Sequence, residues 1–141
     1  MSNRLTIVGA TAFALALGLL AAPVFGDEAP AKVDTAGLKP LGDKWIDKSP
    51  YTGDKKAIEI GADAYNQNCA RCPGLEMITG GIAPDLRKVP KDQEGDDLFS
   101  KRMQEGAERN GVTMMPKFAG LLPQEELWAI RAFMISKNIP E

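Results

Sequence analysis

The sequence predicts an all-α domain: three modest helices joined by long loops and preceded by an extended arm. Three observations lead there. Apolar residues recur at helical spacing in three separate stretches, and no stretch alternates as a half-buried strand would. Two tracts, 73–95 and 109–122, carry no sustained period at all. The 141 residues suit one domain, with 44% apolar and 26% charged residues, which is ordinary for a globular protein.

Taken in order, residues 1–26 read as a secretory signal peptide. Arg4 supplies the positive start, Leu5 to Ala22 the apolar run, and Val24 and Gly26 the small residues of a cleavage site before Asp27, with Ala22 offering an earlier one. An uncleaved anchor is the alternative, since the run approaches spanning length. Export to a periplasm follows from the first reading. Cleavage takes Arg4 from the 17 basic residues and none of the 19 acidic ones, moving the net charge from −2 to −3. That argues against nucleic acid as a partner. No later stretch is long and apolar enough to span a membrane.

Residues 27–54 hold prolines at 30, 40 and 50 and no period. They read as an extended arm, tacked to the body by Trp45, Ile46 and Tyr51. The first helix of residues 55–141 is expected from Lys55 to Cys69, where Ile58, Gly61, Ala62, Tyr65 and Cys69 share a face. Glycine is costly inside a helix, so Gly61 makes sense if another backbone crosses closely there. A second helix is expected from Asp96 to Glu108, with acids at its start and a face of Leu98, Phe99, Arg102, Met103 and Gly106. The third begins at Pro123. Glu125 and Glu126 suit its positive N-terminal end, and Lys137, Asn138 and Pro140 mark its finish.

There is no histidine in the chain. Ser-His-Asp and Cys-His nucleophiles, His metal sites and the usual pH switch are therefore excluded. The two cysteines form one motif, Asn68-Cys69-Ala70-Arg71-Cys72-Pro73. Cys-x-x-Cys spacing supports a redox disulfide, half a metal site, or two thioether bonds to haem. The metal reading lacks its other ligands. The haem reading normally places His directly after the second Cys, where Pro73 stands. On the motif alone a disulfide ranks above haem. The loops weigh the other way: three helices and two long loops make a poor core, unless the loops wrap something planar and apolar.

Four segments in order resemble the class I monohaem cytochromes c, and most closely the periplasmic ones that accept electrons from quinoprotein (PQQ-dependent) ethanol dehydrogenases. They are Tyr65-Asn66-Gln67-Asn68-Cys69-Ala70-Arg71-Cys72, Gly80-Gly81-Ile82-Ala83-Pro84-Asp85-Leu86, Met115-Pro116-Lys117-Phe118 and Leu127-Trp128-Ala129-Ile130-Arg131-Ala132-Phe133. The similarity runs from about Lys55 to Lys137. It implies a small cytochrome c fold, with the first and last helices crossing and the loops surrounding a haem pocket. It implies one covalent haem c, with iron, on Cys69 and Cys72. It also implies a distal axial ligand at Met115, with Met114 as runner-up, and pocket residues Pro84, Phe118 and Trp128. Pro84 would orient a proximal His through its carbonyl, but the proximal position holds Pro73, which has no lone pair to offer iron.

The implied function is electron carriage without bond-making chemistry. A PQQ-dependent alcohol dehydrogenase would be donor and a terminal oxidase acceptor, with transfer impaired by Pro73. The alternatives are a Cys69–Cys72 disulfide module and a haem-free degenerate cytochrome. Bland readings stand beside the sharp ones. Met115 fits a core methionine, and Trp128, Phe133 and Tyr65 fit core packing. Arg71, Lys88, Arg109 and Lys117 are solvated charges or a surface that steers an acidic partner.

Overall fold

The computed structural model describes residues 29–78, 81 and 83–139. Residues 1–26, expected to be a signal peptide, lie outside them, as do Gly80 and Ile82 of the second matched segment and Pro140. The elements are α1 (Lys55–Asn68), a 3₁₀ turn (Leu86–Lys88), α2 (Gln93–Glu105), β1 (Ala107–Arg109), β2 (Val112–Met115) and α3 (Gln124–Ser136).

Helix α1 starts at Asp54, whose carboxylate accepts the Ala57 N–H at 3.1 Å, satisfying one of the donors a helix start leaves free. It ends at Cys69, within one residue of expectation. Its buried side chains, Ala57, Ile60, Ala64 and Tyr65, pack on Leu127, Ala129, Ile130, Ala132 and Phe133 of α3. The two helices meet backbone to backbone at Gly61. A Cβ there would lie 1.9 Å from the Ala129 carbonyl oxygen, so the close crossing anticipated from the sequence is present and only glycine permits it.

Helix α2 lies three residues earlier than expected. Asp92 caps it, accepting from Glu94 N and Gly95 N, and Gly106 ends it at φ 73°. Position 106 thus closes the helix and does not continue its apolar face. A Cβ on Gly95 would meet the Pro90 carbonyl oxygen at 1.8 Å. That closeness lets Arg131 of α3 reach across, with Nε donating to Asp96 at 2.7 Å and Nη2 to the Pro90 carbonyl at 2.6 Å. Asp96 also accepts the Ser49 N–H, so one buried ion pair joins arm, α2 and α3.

The absence of strand is the second correction. Strands β1 and β2 form an antiparallel hairpin with a bulge between Ala107 and Glu108. Its two-residue turn is Asn110-Gly111, at φ 53° and 76°. Positive φ at both residues is the geometry that matches strand twist in the tightest hairpins.

The arm is docked along much of its length. Trp45 stacks on Trp128 at 5.7 Å and donates to Ser100 Oγ at 2.7 Å. Tyr51 is buried, donates to the Lys39 carbonyl, and is pushed up to about 12 in pKa, first by burial and then by Glu125 and Asp54. Three successive side chains at the start of α3 hold the arm's backbone. Gln124 accepts the Ile46 N–H and donates to the Gly42 and Lys44 carbonyls. Glu125 accepts from Leu41 N and Glu126 from Val33 N.

Candidate functional site

The site begins where α1 ends. Cys69 N–H and Ala70 N–H both donate to the Tyr65 carbonyl, and Gly74 N–H donates to the Ala70 carbonyl. The chain therefore leaves the helix in a tight wrap rather than a straight run. Tyr65, fully buried, donates its hydroxyl to the Gly74 carbonyl at 2.7 Å and stacks on Phe133. Burial raises its pKa strongly, with Cys69 and Cys72 adding to the effect, so it remains a donor. One residue of the crossing thus fixes both ends of the Cys-x-x-Cys turn, through its backbone carbonyl at Cys69 and its hydroxyl at Gly74.

Both cysteines are free thiols. Cys69 is half-buried at the edge of the core and Cys72 is exposed. Burial pushes the Cys69 thiol up to about 12, helped by Glu126 and Cys72. A catalytic thiol needs the opposite shift, because thiolate is the nucleophile. Pro73 is buried directly after the pair and has no donor atom for a metal. Among the described residues no group of three or more His, Cys, Asp or Glu side chains could hold a metal ion.

The other expected site residues come from the second loop and α3. Met115 closes β2, half-buried and packed against the core; Met114, also half-buried, is not part of that packing. Phe118 is buried, and the N–H groups of Phe118 and Ala119 both donate to the Met103 carbonyl at 2.9 Å. Pro84 is exposed, just before Asp85. Asp85 pairs with Arg87 at 2.8 Å, and that hydrogen bond holds its carboxyl down at about 2. Trp128 is fully enclosed between Trp45 and Phe99, and its Nε1 has no hydrogen-bond partner among the described residues. Arg71, Lys88, Arg109 and Lys117 are all exposed to solvent.

Sequence reasoning missed two residues here. Glu126 passed for a helix-end charge, yet it is fully buried. Asn68 donates to it at 3.3 Å and pairs with the Ala31 backbone in both directions. Burial raises the Glu126 pKa, against the Val33 hydrogen bond and Lys32. The only signal in the sequence was its place beside Leu127 and Trp128 on a nearly all-apolar helix.

Residues 56–134 match the family model described as cytochrome c oxidase, cbb3-type, subunit III. The chain is 52% identical over 120 residues to cytochrome c550 of Pseudomonas aeruginosa, covering 82% of this chain and 83% of that one. The chain belongs to the cytochrome c family. This cytochrome is an electron carrier, not an enzyme. It is also 30% identical over 89 residues to the quinohemoprotein alcohol dehydrogenase ADH-IIG of Pseudomonas putida, spanning 61% of this chain but 11% of that much longer protein. A solved structure of that dehydrogenase aligns with TM-score 0.50, over 71% of this chain and 14% of its own. Cytochrome cL of Methylophaga aminisulfidivorans aligns with TM-score 0.53 at 23% identity, over 74% of this chain and 73% of its own, and shares the fold. No described helix of the cytochrome is long and apolar enough to cross a membrane.

Membership implies covalently attached haem c with iron, and the residues present fit that group in part. Two free thiols at this spacing suit two thioether bonds. A half-buried methionine sulfur suits one axial position. Position 73 offers nothing for the other.

Proposed function

We propose that this cytochrome is an exported periplasmic carrier, taking electrons from a PQQ-dependent alcohol dehydrogenase and passing them to a terminal oxidase. Residues 1–26 serve as the export signal, 27–54 as the arm and 55–141 as the cytochrome domain. The observation that carries the reading is the placement of Cys69 and Cys72 on the tight wrap at the end of α1, beside a core that also takes Met115. Similarity to part of a quinohemoprotein alcohol dehydrogenase supports the donor.

When bound, haem c supplies an iron that cycles between ferrous and ferric states. The chain's part is to hold it. Cys69 and Cys72 provide the sulfurs for attachment, and Tyr65 keeps their turn closed through Gly74. Met115 would provide a further sulfur for the iron. Phe118 and Pro84 would lie against the group, and Trp128 stiffens α3 behind it. Pro73 cannot donate to iron, so the chain as it stands is under-ligated and transfers electrons poorly. The raised pKa of Cys69 speaks against that thiol as a nucleophile.

The test is the intact mass and visible spectrum of protein exported together with haem-attachment machinery. A gain of one haem, without a low-spin spectrum, is expected; Pro73→His should then create that spectrum. A loss of two hydrogens instead would mean a Cys69–Cys72 disulfide, and an unmodified mass with a folded NMR spectrum a haem-free module. A low-spin spectrum from the chain as it stands would overturn the ligand argument.

A further inference from the structure

Met115 sits at the end of an exposed hairpin, a poor place from which to hold a ligand rigidly. What steadies it is the end of α2. Gly106 has φ 73° and ψ −152°, a region essentially reserved for glycine. It is buried, and a Cβ there would meet the Met115 carbonyl oxygen at 2.4 Å and Lys117 N and the Pro116 carbonyl carbon at 3.0 Å. Three consecutive residues therefore run across Gly106 with no side chain between the two backbones. Just beyond, the Met103 carbonyl takes both the Phe118 and Ala119 N–H groups at 2.9 Å. On the strand side, Ala107 faces Met115 across the bulge.

We infer that Gly106, together with the Met103 carbonyl, is the positioning residue for the distal ligand. It seats the backbone of residues 115–119 on the end of α2, so that the reach of the Met115 sulfur is set by that helix and not by the hairpin. The inference rests on the reading of Met115 as that ligand. Any side chain at 106 displaces the carbonyl of Met115 by about 1 Å, the difference between 2.4 Å and ordinary contact near 3.4 Å. Gly111 is the control: its φ is also positive at 76°, yet a Cβ there meets nothing within 4 Å. Gly111→Ala adds a side chain at positive φ without a collision with the ligand segment.

The test uses the haem-loaded chain as it stands and with Pro73→His, each with Gly106→Ala or Gly111→Ala. In the first, mild peroxide treatment and peptide mass spectrometry report access to the Met115 sulfur. In the second, imidazole is titrated against the ferric form, where it competes with that sulfur. Gly106→Ala is expected to speed Met115 oxidation and to tighten imidazole, each about tenfold, and Gly111→Ala to change neither. Unchanged values in Gly106→Ala, with Met115→Leu tightening imidazole, would overturn the inference and leave the cytochrome reading intact. If Met115→Leu also changes nothing, Met115 is not the ligand and the underlying reading falls with it. Should Gly106→Ala not accumulate, Ala107→Gly loosens the same bulge without a collision. It is expected to move both readouts in the same direction by a smaller factor, and no movement would again overturn the inference.

Discussion

Gly61→Ala is the sharpest probe of how the core is built. Helix propensity alone favours the change by about 1 kcal/mol. The structure predicts the reverse. The added Cβ would sit 1.9 Å from the Ala129 carbonyl oxygen, 2.4 Å from its carbonyl carbon and 2.9 Å from Ile130 N. These are backbone atoms of a hydrogen-bonded helix, so they cannot swing aside as a side-chain tip would. Reaching ordinary contact near 3.4 Å requires α1 and α3 to part by about 1.5 Å at the crossing. A gap of 0.5–1 Å already forfeits a quarter to a half of each dispersion contact, and a buried side chain makes roughly 50 of them at about 0.1–0.2 kcal/mol each. Losing half of one such set costs about 4 kcal/mol. Less the propensity gain, the net loss is about 3 kcal/mol, a large part of the ~5–15 kcal/mol that holds a domain folded. Urea unfolding followed by circular dichroism should show the midpoint falling by about 1–3 M. A midpoint equal to or above that of the parent would refute the close backbone approach.

Two further predictions address buried charge. Arg131→Ala leaves Asp96, which is 5% exposed, without its cation and the Pro90 carbonyl without its donor; a loss of about 3–5 kcal/mol is expected in urea unfolding. Glu126 supplies a pH dependence whose sign is opposite to that of a paired acid. Its pKa is raised in the fold above the ordinary 4.5, so the stability it contributes when protonated is full below that value. It is lost as pH rises through the folded pKa, at no more than about 1.4 kcal/mol for each pH unit climbed. Asp85, held at about 2 by Arg87, acts the other way and only in strong acid. The difference between parent and Glu126→Gln unfolding free energies should therefore fall as pH rises above about 4.5; a flat difference would show that Glu126 is not desolvated.

The parts of this fold that were legible are those in which local chemistry and packing agree. Gly61 stood out as a costly residue inside a periodic helix, and the close crossing explains it. Trp45 and Tyr51 were the only large rings on an otherwise patternless arm, and both are docked. Helix α2 was misplaced because its true start, Asp92, and its first turn to Gly95 lie in the tract 73–95, which carries no apolar period. That glycine is required by the Pro90 carbonyl, which no local pattern reveals. The hairpin had a readable signal in Asn110-Gly111. It was masked because β1 and β2 are mostly exposed, so alternation between buried and solvated residues never develops. In the candidate site, the cysteine pair and Met115 were visible as motif residues. Gly106, Asn68 and Glu126 were not, because their roles depend on backbone drawn from distant parts of the chain.

The grip of α3 on the arm has a consequence for timing. Gln124, Glu125 and Glu126 bond residues 78, 84 and 93 positions earlier. A chain that emerges amino-terminus first has nothing to receive its arm until the last helix exists, and contacts that close such long loops form late. Until then the turn carrying Cys69 and Cys72 is open to solution and its sulfurs have ordinary reactivity. Once α3 lies across α1, Cys69 is a desolvated thiol held protonated near neutral pH. The window for chemistry on the Cys69 sulfur is therefore set by α3, and it narrows when that helix docks.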